Sequence, residues 1–377
     1  MKIVLAVILA FAVVAVACGG QMPSAPAHVP AGHVTVTAPA DRALWVVDSS
    51  TGAVERTLPA GTPAPDWRAL YRLSNGTLEA LDPTSGRVAA AHQAPDWARE
   101  VRTSANGRWL VLTEGVPGGR FLVQEASWSA GPVSVALRGA FSFDGVSADG
   151  QRLYLLERLT ADHYQVRMYD LRHGALAPYV IAEKGEVGPM SGTALTSYTT
   201  RDGAMQLTLY QRAAGGKAFI HALPIGQEES FAYCVDLPGP QDGWAFAAAP
   251  RGDRFYAVNA DGRVIELRPT DNGPPEVRQR RDTGLSGGGT TLAVSPDGRT
   301  LYVGTAAGVF AVDAGTLKTR ASGLAGRAVT ALGAAPDGGV LYAVSAATRL
   351  VRLDPHTLRV AGEVTAQGGL GEILRTA

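Results

Sequence analysis

Cysteine is scarce in this chain of 377 residues, which contains only Cys18 and Cys234. If the Cys18 thiol is covalently modified, Cys234 is the only remaining thiol and no internal disulfide forms. Charged residues are also sparse, at 18% of the chain. The 34 basic and 34 acidic residues give a formal net charge of zero. A chain without a basic excess has no electrostatic field for nucleic acid, and we expect no nucleic-acid partner.

The motifs of common cofactor and metal sites are also missing. The seven histidines include no pair at i, i+2 or i, i+4 with a carboxylate between them, as a zinc site on one element needs. The glycine-rich run 284–289 precedes a strand pattern and not a helix, which excludes the phosphate-loop context. We therefore predict no cofactor and no metal, although a site assembled from distant segments would not be visible in the sequence.

The first 32 residues have the composition of an export signal and a tether. Met1-Lys2 is a short basic start, and Ile3 to Val16 is apolar without Gly or Pro. Cys18 follows the small residues Ala15-Val16-Ala17, and this arrangement resembles the bacterial lipoprotein signal, which implies a lipid attached to Cys18. Ala15-Val16-Ala17 also fits ordinary signal-peptide cleavage, which would give a secreted protein. We predict a signal peptide over 1–17 and a flexible tether over 18–32.

The rest of the chain repeats one pattern, which Ser295-Pro296-Asp297-Gly298 followed by Leu301-Tyr302-Val303 shows most clearly. Pro, Asp and Gly favour a tight turn, and the aromatic and β-branched run favours a strand. Copies of the turn lie at positions 66, 106, 149, 202, 251, 297 and 337, with spacings of 40, 43, 53, 49, 46 and 40. A period of this size with several strands in each unit is typical of a propeller blade.

A second recurring element is a strand that ends in Asp before a short polar loop, as at Asp82, Asp170, Asp313 and Asp354. Each Asp can accept hydrogen bonds from the N–H groups of its loop. Four antiparallel strands in each unit follow from this order of turn, strand and loop. Together the two elements resemble bacterial YVTN-type and WD-like β-propeller repeats, which implies one all-β propeller over residues 33–377.

Seven turn motifs predict seven four-stranded antiparallel blades. The N-terminal strands near 34–37, 43–48 and 53–58 have no complete unit of their own. They are expected to pair with the C-terminal segment 371–375 and close the ring, which leaves eight blades as the alternative.

Function is expected in the long irregular loops, because the repeat already accounts for most other distinctive residues. These loops include 114–120, 157–163, 211–217 and 281–289, together with the connection 183–192. The candidate binding residues on this loop face are Glu114, Arg120, Glu157, Arg158, Asp162, His163, Arg281 and Asp282.

The expected function is that of an envelope-anchored, extracytoplasmic binding or scaffolding module, monomeric and held at the membrane only by its lipid. Its partner would be a protein, a peptide or a carbohydrate. The absence of a compact catalytic group of residues favours a role without catalysis. The alternative, implied by the resemblance alone, is an enzyme of the propeller lactonase or lyase kind with a metal or a His/Glu pair at the central channel.

Overall fold

A computed structural model describes residues 32–376 except 116, 184–187, 213–216, 227–230, 239–242, 271–272 and 288. The described chain is built from β-strands, and none of it forms a helix long and apolar enough to cross a membrane. Residues 1–31, which include Cys18 and the predicted signal peptide, lie outside the described residues.

Six four-stranded antiparallel blades account for most of the strands. Blade 1 joins β1 (His33–Ala38), β2 (Ala43–Asp48) and β3 (Val54–Pro59) to the C-terminal β33 (Ile373–Thr376), and blade 2 contains β4 (Thr62–Pro63), β5 (Leu70–Ser74), β6 (Thr77–Leu81) and β7 (Val88–Gln93). Blade 3 contains β17 (Thr193–Thr199), β18 (Met205–Gln211), β19 (Phe219–Pro224) and β20 (Phe231–Asp236), with β15 (Ala182–Glu183) added in parallel beside β20.

The last three blades follow the same order in the chain. Blade 4 contains β21 (Ala245–Ala248), β22 (Phe255–Val258), β23 (Arg263–Thr270) and β24 (Gly273–Asp282). Blade 5 contains β25 (Gly289–Val294), β26 (Thr300–Thr305), β27 (Gly308–Asp313) and β28 (Thr319–Gly323). Blade 6 contains β29 (Val329–Ala334), β30 (Leu341–Ser345), β31 (Arg349–Leu353) and β32 (Val360–Thr365).

Between blades 2 and 3 the chain forms one continuous eight-stranded sheet, here called the wide sheet. Its strands are β8 (Glu100–Thr103), β9 (Trp109–Thr113), β10 (Gly118–Glu125), β11 (Val133–Val146), β12 (Arg152–Arg158), β13 (His163–Asp170), β14 (Ala175–Leu176) and β16 (Met190–Ser191). The 14-residue β11 pairs with β10 through its first part and with β12 through its second part.

The prediction of seven four-stranded blades, with eight as the alternative, is therefore wrong. The described residues form six four-stranded antiparallel blades. The turn motifs at positions 106 and 149 both lie inside the wide sheet, because β11 runs from one motif's strands to the other's without a break. Val133–Val146 contains no proline, and the irregularity at residues 137–140, opposite Gly119, is a bulge that shifts the register with β10 without ending the strand.

The two ends of the chain close the ring, as the sequence predicts. Val34 pairs with Thr376, Thr35 with Arg375 and Val36 with Ile373. The first strands of neighbouring blades contact one another, as β17 with β21, β21 with β25, β25 with β29 and β29 with β33. These strands therefore surround the central axis, and buried apolar clusters fill the space between successive sheets.

The predicted roles of the repeated aspartates are confirmed. In the turns, Asp297 Oδ1 accepts a hydrogen bond from the N–H of Arg299 at 3.0 Å. In the loops after the third strands, Asp313 Oδ1 accepts from the N–H of Thr316 at 2.7 Å. These bonds lower the pKa of both carboxyl groups, first through the side-chain bonds to Ser295 and Thr316 respectively. The repeat thus uses these acids for backbone geometry, which removes them from the list of candidate site residues.

The antiparallel order gives the ring two distinct faces. The turn face carries the Pro-Asp-Gly turns and the Asp loops. The loop face carries the hairpins between second and third strands and the connections between blades. Leu301, Tyr302 and Val303 are 0%, 3% and 0% exposed, so the recurring strand lies in the core, as predicted.

Candidate ligand-binding pocket on the loop face

A cavity of about 770 Å³ opens on the loop face between the wide sheet and blade 3. Its volume lies within the range of small-molecule sites. Strands β8, β11, β12, β13, β17 and β18 contribute its lining, which reaches the innermost strands of the ring. The described residues that line it are Arg102, Ser142, Leu156, Arg158, Ala161, Asp162, Tyr164, Gly192, Thr193, Ala194, Leu195, Tyr210, Gln211 and Arg212.

One wall of the pocket is a single face of the wide sheet. Ser142 pairs with Leu156 across β11 and β12, and Arg158 pairs with Tyr164 across β12 and β13. Directly paired residues project to the same face, and so do residues two apart on one strand. The pleat therefore places Ser142, Leu156, Arg158 and Tyr164 together.

The other wall comes from blade 3, where aromatic rings stack. Tyr210 pairs with Ala194 on β17 and with Phe219 on β19. The Tyr210 ring lies 5.2 Å from that of Phe219 and 5.8 Å from that of Tyr164 on the opposite sheet. The guanidinium of Arg212 lies 4.3 Å from the centre of the Phe219 ring. The stack fixes these side chains across the interface between the two sheets.

The hydroxyl groups of Tyr164 and Tyr210 lie behind the pocket lining, within the interface between the two sheets. These side chains are 8% and 1% exposed, and neither hydroxyl oxygen is accessible to solvent. Burial raises the pKa of both tyrosines, and an interaction between the two hydroxyls lowers the pKa of Tyr164 and raises that of Tyr210. Both hydroxyls therefore stay protonated at neutral pH and belong to the packed interface.

An acid lies beneath the tyrosines on β11. Asp144 is partly exposed as a residue, but its Oδ2 atom is buried and has no hydrogen-bond partner among the described residues. Gln206 Nε2 on β18 donates to the Asp144 carbonyl at 3.0 Å and to its Oδ1 at 3.2 Å. Burial of the carboxyl raises the pKa of Asp144 to about 6, and the Gln206 bond opposes that change. The charge of Asp144 in turn raises the pKa of Tyr210, after burial itself.

A histidine is buried in the same interface. His221 on β19 is 1% exposed, and burial lowers its pKa to about 4, so the ring is neutral at pH 7. Its ring lies 5.9 Å from that of Tyr210 in an edge-to-face arrangement. Cys234 pairs with His221 across β19 and β20 and is partly buried against Tyr210 and Phe219, which confirms its predicted place in a strand.

The charged lining of the pocket is mainly basic. It holds three guanidinium groups, of Arg102, Arg158 and Arg212, and one carboxylate, of Asp162. Arg102 and Arg212 have carboxylate partners of their own, at 2.8 Å from Glu100 and 2.9 Å from Asp236. Arg158 has no carboxylate partner among the described residues, and its Nη1 donates to the carbonyl of Ala161 at 2.8 Å. Arg158 is therefore the lining cation that retains most of its donor capacity.

The structure brings two of the predicted candidates, Arg158 and Asp162, into this pocket. Glu157 and His163 flank them in the chain but do not line it. Glu157 accepts from Arg167 and from Gln165, both at 2.7 Å, on the opposite face of β12. His163 Nδ1 lies 3.3 Å from the Thr160 hydroxyl within the hairpin.

The other candidates lie elsewhere. The Glu114 carboxylate accepts a hydrogen bond from the N–H of Arg120 at 3.0 Å and pairs with its guanidinium, which lies 5.4 Å from the centre of the Trp97 ring. Arg281 and Asp282 lie on β24, the outer strand of blade 4, where Asp282 pairs with Arg263 at 2.6 Å. The loop-face candidates therefore do not form one site.

Sequence reasoning missed four lining residues, Arg102, Tyr164, Tyr210 and Arg212, and two groups buried behind the lining, Asp144 and His221. Most of these residues lie within strands and lack a motif, and the two walls come from segments far apart in the chain. Asp144 carried a usable signal, because it is an acid inside a strand pattern and outside the repeated turns. A polar residue of that kind needs a partner on a neighbouring element.

Other clusters are explained by internal bonds. A cavity of about 580 Å³ on the turn face is lined by residues that include Asp149 and Asp202, whose carboxylates bind Ser147 and Thr200 at 2.5 and 2.6 Å. His33, Asp48 and Glu55 have potential metal-ligand atoms within 4.8 Å of one another. His33 already pairs with Glu55 at 2.7 Å, and Asp48 caps its own loop through Ser50, so an ion pair and a turn account for this group.

Comparison with solved structures supports the β-propeller fold, and WD-like propellers are among the structural neighbours. Dihydro-heme d1 dehydrogenase NirN in complex with DHE has a TM-score of 0.60 and 17% identity, over 93% of this chain and 76% of that chain. Sqt1 from Chaetomium thermophilum, bound to the N-terminus of a ribosomal protein, has a TM-score of 0.51 and 12% identity, over 90% and 89% of the two chains. The computationally designed Ika8 protein has a TM-score of 0.50 and 14% identity, over 82% and 88%.

These identities show a shared fold alone. No family model matches the chain. No curated protein matches it either.

Proposed function

We propose that this propeller is a binding module that takes a small polar ligand in the loop-face pocket between the wide sheet and blade 3. The observation that carries the proposal is the cavity of about 770 Å³, whose lining holds three guanidinium groups and one carboxylate. Arg158 has no carboxylate partner among the described residues and retains N–H donors. A ligand with hydrogen-bond acceptors can bind these donors.

A binding role is favoured over the lactonase or lyase alternative by the composition of the lining. Among the described residues that line the pocket there is one carboxylate, Asp162, and no histidine. Asp162 is exposed at the rim, whereas a general acid or base works in an enclosed position with a shifted pKa.

The test fills the pocket with a side chain. Ala194 is exposed on β17 and lines the cavity, so Ala194→Trp places an indole in it. We expect fragments from a chemically mixed library to bind the unaltered protein in this pocket, by NMR and crystal soaking, and to lose binding at least tenfold in the variant. Ala89→Trp, on the exposed outer strand β7, is the matched control and should leave binding unchanged. Absence of any fragment from the pocket, or equal binding to both variants, would contradict the proposal.

We also propose that the module is held at the bacterial cell envelope through a lipid on Cys18, followed by the flexible tether 18–32. The support is the sequence alone, in which Cys18 directly follows three small residues after an apolar run. Cys18→Ser is expected to abolish lipid labelling in a bacterial host and to release the protein from the membrane fraction. Release without any lipid label on the unaltered protein would instead favour ordinary signal-peptide cleavage and secretion.

A further inference from the structure

We propose that the turn-face cavity is a second ligand-binding site, and that it takes a small organic cation with an apolar body. The cavity has a volume of about 580 Å³, which lies within the range of small-molecule sites. It adjoins the turns that hold Asp149 and Asp202, the outer strand β20 of blade 3 and the β23–β24 hairpin of blade 4. It lies on the opposite face of the ring from the loop-face pocket, so neither proposal rests on the other.

The charged groups of this cavity are both acids. Its described lining contains the carboxylates of Asp149 and Asp202 and no lysine, arginine or histidine. A hydrogen bond from the Thr200 hydroxyl lowers the pKa of Asp202, which is therefore ionised at neutral pH. The loop-face pocket, with three guanidinium groups and one carboxylate, has the opposite sign. The turn-face cavity therefore attracts cations.

The internal bonds of the two turns leave carboxylate oxygens for a ligand. The Oδ1 atoms of Asp149 and Asp202 accept from the hydroxyls of Ser147 and Thr200. Asp202 Oδ2 has no hydrogen bond or ion pair within the described chain, because the bonds to this carboxylate all end on Oδ1. Asp149 Oδ2 lies 3.7 Å from a guanidinium nitrogen of Arg152. Asp202 therefore offers the more available acceptor of the two.

The neighbouring hydroxyl groups already donate within the protein. Those of Ser147 and Thr200 donate to the aspartates, and that of Thr270 donates to the carbonyl of Pro274 at 3.1 Å. Each of these hydroxyls has a single proton, so none is left for a ligand. The ligand must therefore bring its own donors to the carboxylate oxygens, as an ammonium group does.

The apolar part of the lining includes an aromatic pair from the outer strand of blade 3. Phe231 and Tyr233 are two apart on β20, so both project to one face of the strand. Their rings lie 5.3 Å apart in an edge-to-face arrangement. Met205 from β18 and Pro269 from β23 add further apolar surface. Aromatic rings attract cations and pack against apolar groups, so an ammonium on an apolar stem matches both parts of the lining.

The equivalent groove between blades 5 and 6 shows how this cavity departs from the repeat. That groove, of about 440 Å³, also contains two turn aspartates, Asp297 and Asp337. Its described lining includes Pro296, where the wide sheet has the smaller Ala148, and it includes His356 but no residue from an outer strand. The turn aspartates are therefore common to both places, whereas the larger volume and the aromatic pair distinguish the cavity at blade 3.

The experiment compares ligands that differ only in the head group. Benzylamine and benzyl alcohol, and cyclohexylmethylamine and cyclohexylmethanol, are titrated into protein that is isotope-labelled at the methionine methyl groups. Met205 lines the turn-face cavity, whereas Met190 packs beside the loop-face pocket against Tyr164 and Tyr210, so NMR reports the two sites separately. We expect each amine to shift the Met205 resonance and to bind about fivefold or more tightly than its alcohol, because charge-assisted hydrogen bonds contribute more than neutral ones.

Substitutions then assign the groups that bind the amine. Asp202→Asn removes the charge but keeps an oxygen for the N–H of Ala204, so the turn should stay intact and the preference for amines should fall to about twofold or less. Phe231→Leu keeps an apolar side chain and should weaken amine binding about threefold, because the aromatic ring is lost. Asp297→Asn makes the same change in the groove between blades 5 and 6 and should leave amine binding unchanged.

Three results would overturn this inference. Alcohols that bind as tightly as their amines would show that the carboxylates do not select the ligand. An equal loss of amine binding in Asp202→Asn and Asp297→Asn would show that amines bind turn aspartates in general. A Met205 resonance that responds to none of the ligands would show that the cavity is not a binding site. None of these results bears on the loop-face pocket, whose ligands are followed through Met190.

Discussion

Deletion of residues 371–377 is expected to lower the melting temperature by about 4–8 °C and to promote self-association. This segment contains β33, which supplies the innermost strand of blade 1. Its loss uncovers Val34 and Val36, both fully buried. Re-exposing two such side chains costs about 3–6 kcal/mol, which corresponds to a shift of about 4–8 °C in a domain of more than 300 residues. An unpaired edge at β1 also invites pairing with another copy.

β33 packs closely against blade 6, and this packing makes the closure of the ring specific to the β33 sequence. A Cβ at Gly333 on β29 would lie 2.6 Å from Ile373 Cγ2, and Thr376 Oγ1 donates to the carbonyl of Ala334 at 2.7 Å. A peptide of residues 367–377 added to the deleted protein should restore most of the melting temperature. The same peptide with Arg375→Pro should not, because proline cannot donate in the pairing of Thr35 with Arg375. An unchanged melting temperature after deletion would show that β33 does not close the ring.

The sequence predicted the local structure better than the assembly. Turn chemistry and strand composition are local properties, so the turns, the Asp loops and the order of strands in a blade followed from single segments such as Asp297 and Tyr302. The terminal pairing also followed, because incomplete N-terminal strands need a partner. The number of blades could not be predicted in this way. The continuity of Val133–Val146 depends on how both ends of this one strand pair, and the turn motifs on either side carry no information about that pairing.

The pocket was predicted only in part, for a related reason. Irregular loops pointed to the loop face and to Arg158 and Asp162, which do line the cavity. The remaining residues come from regular strands whose neighbours are fixed by the ring. Tyr164 and Tyr210 looked like ordinary strand aromatics in the sequence, and the facing of two sheets is what places their hydroxyls together.

Asp144 and His221 are expected to give pH dependences of stability that oppose each other. The pKa of Asp144 is raised from 3.8 to about 6, so its stabilising contribution is complete below pH 3.8 and is lost as the pH rises through about 6. The pKa of His221 is lowered from 6.5 to about 4, so its contribution is complete above pH 6.5 and is lost as the pH falls through about 4. Each difference corresponds to up to about 3 kcal/mol. Between pH 4 and 6 the two slopes therefore nearly cancel in the unaltered protein.

Single substitutions should uncover these slopes. Relative to the unaltered protein, Asp144→Asn should gain up to about 3 kcal/mol of unfolding free energy as the pH rises from 4 to 7, because its side chain no longer ionises. His221→Gln should show the reverse, with a relative gain of similar size as the pH falls from 7 to 4. Urea titrations at half-unit pH steps measure both curves, and any constant offset from the new amide leaves the slopes unaffected. The double variant should differ from the unaltered protein by a nearly constant amount between pH 4 and 7, because the two opposing slopes are removed together. A flat difference curve for either single variant would mean that the group titrates alike in the folded and unfolded protein, and that its burial in the interface between the wide sheet and blade 3 does not control its charge.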